Sequence, residues 1–299
     1  MRITIVGVGA IGRLWAAALA KEHQVHLWTR DDKPQTQFSF TPLAATHSPV
    51  QTLTFASNQA QQLANSECVL VTVKAFQVEQ ALRDILSSLS TTTPVIIMHN
   101  GMGSQTIAKH LLPNNPLLYA TTAQAAFQPT PDSISHTGQG QTWLGALTDN
   151  AKRYQSLADV FNATLSPCQW HDDILQPLWH KLAINCAINP LTAREQCKNG
   201  ELAQAKYQPY LNQICDEVAA VMRAEGYPTQ AESLKSLVDQ VIEATANNFS
   251  SMNQDLCHHR PTEIDYITGH VVARAQAHGI ETPCNTQLWQ QIKQLEQEA

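Results

Sequence analysis

The stretch "ITIVGVGAIG", residues 3 to 12, confines the start of this chain to one geometry. Ile3, Thr4, Ile5 and Val6 form a β-branched run that favours a strand. Gly7, Gly9 and Gly12 follow as G-x-G-x-x-G, and the Ala- and Leu-rich "RLWAAALAKEH" behind them favours helix. A strand that passes into a helix through these glycines can hold a dinucleotide. The first glycine permits the tight turn, the second lets a pyrophosphate approach the backbone, and the third lets helix and strand pack closely, with helix N-terminal amides facing the phosphates. The same opening could pass for a short export signal, with Arg2, an apolar run and a small-residue end. Arg13 interrupts that run, however, and the glycine spacing has its own explanation. Elsewhere the longest apolar runs, such as "CVLVTV" and "PVIIM", are too short to span a bilayer, so a protein without a membrane partner is expected.

Downstream, strand and helix alternate. "QVHLWTR", "CVLVTVK" and "PVIIMHN" read as further strands, with "FQVEQALRDILSSL" as a helix between the last two. That alternation implies a parallel, doubly wound sheet, an α/β fold. "LLYATTAQAAF" and "ISHTGQGQTWLGAL" read as a strand and a hairpin carrying Gly138 and Gly140 that close the same sheet. After about residue 170 the pattern becomes helical without strands, as in "DDILQPLWHKLAINCAINPLTAREQC" and "AESLKSLVDQVIEATANNF". A chain of 299 residues is long for a single core, so we expect a dinucleotide-binding domain over 1–170 and an all-helical domain over 171–299.

Charge narrows the partners. Only 15% of residues are charged and the net charge is -6, which supplies no cationic face for nucleic acid. The seven cysteines are odd in number and include no C-x-x-C pair, a pattern that suits reduced thiols in a cytoplasm. His258 and His259 are adjacent and would diverge on a helix, so no metal site is expected.

Candidate site residues fall in two groups. At strand ends, Arg30 follows "VHLW" where an acid would favour NAD; it could grip a 2'-phosphate, although Asp31 and Asp32 beside it leave NAD open. Lys74 and Asn100 likewise end predicted strands, and either could face a cofactor or simply begin a polar loop. In the helical half, "HKLAINCAINPL" places Lys181, Asn185 and Asn189 four apart on one slowly turning stripe of an otherwise apolar helix. A lysine there must meet a carboxylate, carbonyls, water or a ligand, or else reach solvent along its stem. Pro190 should kink the helix and free acceptors nearby. In "NNFSSMNQDLCHHRPTEIDYITG", Pro261 could open a helix with Glu263 in its first turn and Ile264, Ile267 and Val271 facing the core, and Ser251 could be a helix cap.

These segments together resemble the ketopantoate reductase family. The likeness runs over nearly the whole chain, through "GVGAIG", "VKAFQ", "HNGMGS", "HTGQGQTWLG" and, most specifically, "KLAINCAINPLTA" and "SSMNQDLCHHRPTEIDYITG". The resemblance implies an N-terminal Rossmann domain, a C-terminal helical domain and an active site in the cleft between them. It also implies NADPH-dependent reduction of 2-dehydropantoate to (R)-pantoate on the route to pantothenate and coenzyme A. Matched position by position, the family's catalytic lysine falls on Lys181 and its active-site carboxylate on Glu263. Its substrate-contacting groups fall on Asn100, Asn185, Asn189, Asn248 and Ser251, and its cofactor residues on Gly7, Gly9, Gly12, Arg30, Lys74 and Asn100. The expectation is therefore a cytoplasmic, monomeric or homodimeric oxidoreductase. Another NADP-dependent reductase of a 2-oxo or 3-hydroxy acid is the nearest alternative, and a non-catalytic NADP-binding sensor a more distant one.

Overall fold

A computed structural model describes residues 1–43 and 50–298, and the chain divides into two compact units. The first comprises Met1–His99 and Ser104–Ile174; the second comprises Asn100–Gly103 and Leu175–Ala299.

The first unit contains strands β1 (Arg2–Val6), β2 (Gln24–Trp28), β3 (Gln35–Thr41), β4 (Gln51–Ala56), β5 (Cys68–Val71), β6 (Val95–Met98), β7 (Leu117–Thr122), β8 (Ala125–Phe127), β9 (Ser133–Gly138), β10 (Thr142–Ala146) and β11 (Cys168–Trp170). Its α-helices are α1 (Ala10–Leu19), α2 (Ala60–Ala64), α3 (Val78–Ile85), α4 (Ser104–Leu111) and α5 (Leu157–Thr164). The main sheet runs β11-β10-β7-β6-β5-β1-β2. From β2 to β7 its neighbours pair in parallel, whereas β10 is antiparallel to β7 and β11 lies parallel to β10. The central strands are buried along their whole length, which explains their unbroken runs of Val, Ile and Leu.

The expected closing hairpin is divided between two sheets. Only β10 joins the main sheet; β9 pairs antiparallel with β8 and parallel with β3, making a second sheet of order β4-β3-β9-β8. Helix α1 touches both sheets, packing on β1 and β2 as well as on β8 and β9. Its two-sided burial accounts for the apolar opening: Leu14, Trp15, Ala16 and Leu19 are fully buried, and alanines permit the close approach. Arg13 is buried there too, donating to the Pro131 carbonyl with its guanidinium 5.4 Å from the centre of the Phe38 ring. Burial draws its pKa down, and nearby Asp132 opposes that shift.

The second unit is helical: α6 (Leu175–Glu195), α7 (Gln208–Ala224), α8 (Ala231–Ala244), α9 (Ser251–Cys257), α10 (Thr268–Ala277) and α11 (Pro283–Glu298), with short 3-10 turns between them. Helix α6 is the hub, packing against α7, α8, α9 and α11, and is therefore apolar nearly all round. It continues unbroken through Pro190. Glu217 on α7 fastens the start of α11, accepting hydrogen bonds from Cys284 N at 2.8 Å and Asn285 N at 2.9 Å. Among the described residues no helix is long and apolar enough to cross a membrane.

Candidate active site

The strand order of the first unit reverses between β1 and β5, the switch point where open α/β sheets bind ligands beyond the strand carboxyl ends. Gly7 leaves β1 at a φ of +95°, and a side chain there would strike Val73 Cγ1 at 2.6 Å. A Cβ on Gly12 would run into the Gly7 carbonyl and stand 2.6 Å from Thr72 Oγ1, whose hydroxyl donates to Gly7 O at 2.9 Å. Gly9 differs, since a Cβ there would meet nothing within 4 Å. Gly7 and Gly12 are thus demanded by the fold, while Gly9 leaves bare backbone facing open space at the start of α1. That is the cradle a pyrophosphate requires, so these residues fit a dinucleotide.

Arg30 is exposed just beyond β2. Asp31 beside it is engaged locally: a hydrogen bond from the Thr29 hydroxyl, helped by Lys33 at 3.4 Å, holds its carboxyl below the usual range. Lys74 follows β5, with its ammonium 5.8 Å from the centre of the Phe76 ring.

The second unit brings Lys181, Glu263 and Asn100 together. Burial of the Lys181 ammonium pushes its pKa down to about 8, and the Glu263 carboxylate opposes that shift. Glu263 is itself buried, at 7% exposure, and its Oε2 accepts from Asn100 Nδ2 at 3.2 Å. Asn100 reaches it because residues Asn100–Gly103 belong to this unit, where Met102 N donates to the Tyr266 carbonyl at 2.8 Å. Glu263 does not lie in the first turn of a helix. It precedes the 3-10 turn Ile264–Tyr266, and α10 begins only at Thr268. Ile264, Ile267 and Val271 do face the core.

One turn along α6 from Lys181, the Asn185 amide nitrogen is buried with no hydrogen-bond partner among the described residues, an unspent donor on the polar stripe. Asn189 is 7% exposed one turn further on. Asn248 and Ser251 are exposed. The helix cap is Ser250 rather than Ser251: its hydroxyl accepts from Asn253 N at 3.1 Å. Asn199, not among the candidates legible in the sequence, also has a buried Oδ1 that is unpartnered among the described residues, and its N–H donates to the Asn248 carbonyl at 2.9 Å. Its place in a polar 3-10 turn gave no periodic signal. Among the described residues no group of His, Cys, Asp and Glu could hold a metal ion.

Chemically, an ammonium with a pKa near 8 beside a carboxylate can give up a proton to developing negative charge and recover it at neutral pH. The amides can hold a polar acid.

The chain resembles known proteins along nearly its whole length. Residues 3–149 match the family described as ketopantoate reductase PanE/ApbA, and residues 173–296 match its C-terminal counterpart. The chain is 46% identical over 298 residues to a 2-dehydropantoate 2-reductase of Vibrio cholerae serotype O1, covering 99% of this chain and 98% of that protein. It is 43% identical to one from Shigella flexneri, covering 100% and 96% respectively. Among solved structures, a PanE/ApbA family ketopantoate reductase from Ralstonia eutropha JMP134 superposes with a TM-score of 0.87 at 25% identity, covering 100% of this chain and 99% of that one. A D-mandelate dehydrogenase with NADH and anilino(oxo)acetate gives a TM-score of 0.90 at 23% identity, with coverage of 100% and 99%, a likeness of fold.

Proposed function

This chain belongs to the ketopantoate reductase family of oxidoreductases, and from that membership we propose that it reduces the C2 ketone of 2-dehydropantoate to (R)-pantoate with NADPH, on the route to pantothenate and coenzyme A. The observation that carries the reading is Lys181, an ammonium desolvated on a buried helix yet coupled to a buried carboxylate, with an unspent amide donor one turn away.

When bound, a nicotinamide cofactor would supply hydride chemistry. Gly7, Gly9, Gly12, Lys74 and Arg30 are the residues that would hold the dinucleotide, Arg30 at its 2'-phosphate. Reduction of a ketone builds negative charge on oxygen, and Lys181 neutralises that charge by donating its proton. Glu263 keeps the lysine charged before the event and, held by Asn100, keeps a fixed orientation. Asn185, Asn189, Asn248 and Ser251 bind the carboxylate and hydroxyl of the acid. The reading takes the protein to be a cytoplasmic enzyme with a small-molecule substrate, acting as a monomer or homodimer, and the net charge of -6 disfavours nucleic acid as a partner.

The test is NADPH oxidation by purified protein with 2-dehydropantoate, repeated with NADH and with 2-oxo acids lacking the 4-hydroxyl. A strong preference for 2-dehydropantoate with NADPH is expected. Preference for another oxo acid overturns the substrate assignment, and equal use of NADH overturns the role of Arg30.

A further inference from the structure

Helices α6 and α9 are joined by a closed ring of polar contacts that the reaction chemistry does not use. Thr192, fully buried, has its hydroxyl 2.7 Å from the Ser250 hydroxyl. Asn253, 1% exposed, donates from its side-chain amide to the Thr192 carbonyl at 2.9 Å and from its backbone N–H to Ser250 Oγ at 3.1 Å. Apolar side chains would hold two helices together at least as well as buried polar ones; a satisfied polar ring adds a defined geometry.

What lies on either side of the ring says what that geometry serves. On α6, the Thr192 hydroxyl is 2.8 Å from the carbonyl of Ile188 and 3.1 Å from that of Asn189, within the helix that bears Lys181 and Asn185. On α9, Ser250 is buried while its neighbour Ser251 is exposed, and Asn248 is exposed two residues earlier with its carbonyl held by Asn199 N at 2.9 Å. The segment is gripped at both ends, with Asn248 and Ser251 left outward.

We propose that Thr192 and Asn253 are positioning residues: through Ser250 they clasp the Asn248–Ser251 segment to the helix of Lys181, and so set the enzyme's affinity for its acid substrate. This rests on the reading of Asn248 and Ser251 as substrate contacts.

The experiment is steady-state kinetics on Thr192→Val, Thr192→Ser and Thr192→Val/Ser251→Ala, with melting temperature as a check on folding. Thr192→Val removes the hydroxyl at similar volume. It is expected to raise KM for 2-dehydropantoate by about tenfold, the size of one buried hydrogen bond, with KM for NADPH unchanged. Thr192→Ser restores the wild-type value, and the rise in the double variant falls short of the product of the Thr192→Val rise and that of Ser251→Ala alone, because part of the clasp's effect passes through Ser251. Ser250→Gly, a change that helix caps tolerate, must show the same split between the two KM values and serves if Thr192→Val folds poorly. An unchanged KM for the acid, an equal rise in both KM values, or effects that multiply in the double variant overturns the clasp. A wild-type enzyme that leaves 2-dehydropantoate untouched refutes the proposed function; one that reduces it while Thr192→Val matches it refutes the clasp.

Discussion

Lys181 sits where two forces act on one proton. Burial expels charge from the ammonium, and Glu263 draws it back, leaving a pKa of about 8. Below that value the acid form prevails, so kcat/KM for ketone reduction is expected to be level near neutral pH and to fall as pH rises through 8. In Glu263→Gln the attraction is gone and burial acts alone, so the break moves to lower pH; a break that stays or rises, measured by a pH series, contradicts the coupling. Lys181→Ala is expected to lower kcat by about a hundredfold or more, the lower range for a general acid. A change confined to KM would contradict that role. The stripe itself was legible because Lys181, Asn185 and Asn189 break an apolar helix at constant spacing. Which amide nitrogen lacks a partner was not legible, since the unspent donor of Asn185 is defined by what surrounds it in three dimensions.

Elements built on one strong local pattern could be read from sequence, and those decided by distant partners could not. The buried runs of β1, β5 and β6 and the glycine turn belong to the first kind. Strands β3 and β4 belong to the second: rich in Gln, Thr and Ser, they owe their place to one another and to β9, far along the chain. The segment after Pro261 carries a helix-start signal, yet Thr262 donates from its N–H and its hydroxyl to Glu296 on α11, at 2.8 and 2.7 Å, and the chain settles into a 3-10 turn. Tertiary ties override local preference there. The cap expected at Ser251 falls instead on Ser250, whose hydroxyl accepts from Asn253 N and meets Thr192 on α6. The glycine turn yields a prediction at this scale. Gly12→Val would press its side chain on Thr72 and the Gly7 carbonyl, and is expected to cost about 1–3 kcal/mol of stability, as overpacking does, while raising KM for the dinucleotide. Unchanged melting and unchanged KM would show that the third glycine is dispensable.

Across the whole molecule, Cys257 is the exposed cysteine and the other six are buried. Burial pushes the thiols of Cys68, Cys168, Cys186 and Cys215 up to about 12, far from the reactive thiolate form. A thiol reagent applied to native protein is therefore expected to modify Cys257 rapidly and the remainder only after denaturation; several fast-reacting thiols would contradict the packing described. The assignment of Asn100–Gly103 to the helical unit has a consequence for dissection of the gene. A fragment beginning at residue 175 would keep the proton donor and its carboxylate but forfeit the amide that pins Glu263, which is encoded some seventy codons upstream. The helical half is not self-sufficient as a coding unit, and any shuffling or splitting of this scaffold has to carry that four-residue loan with it.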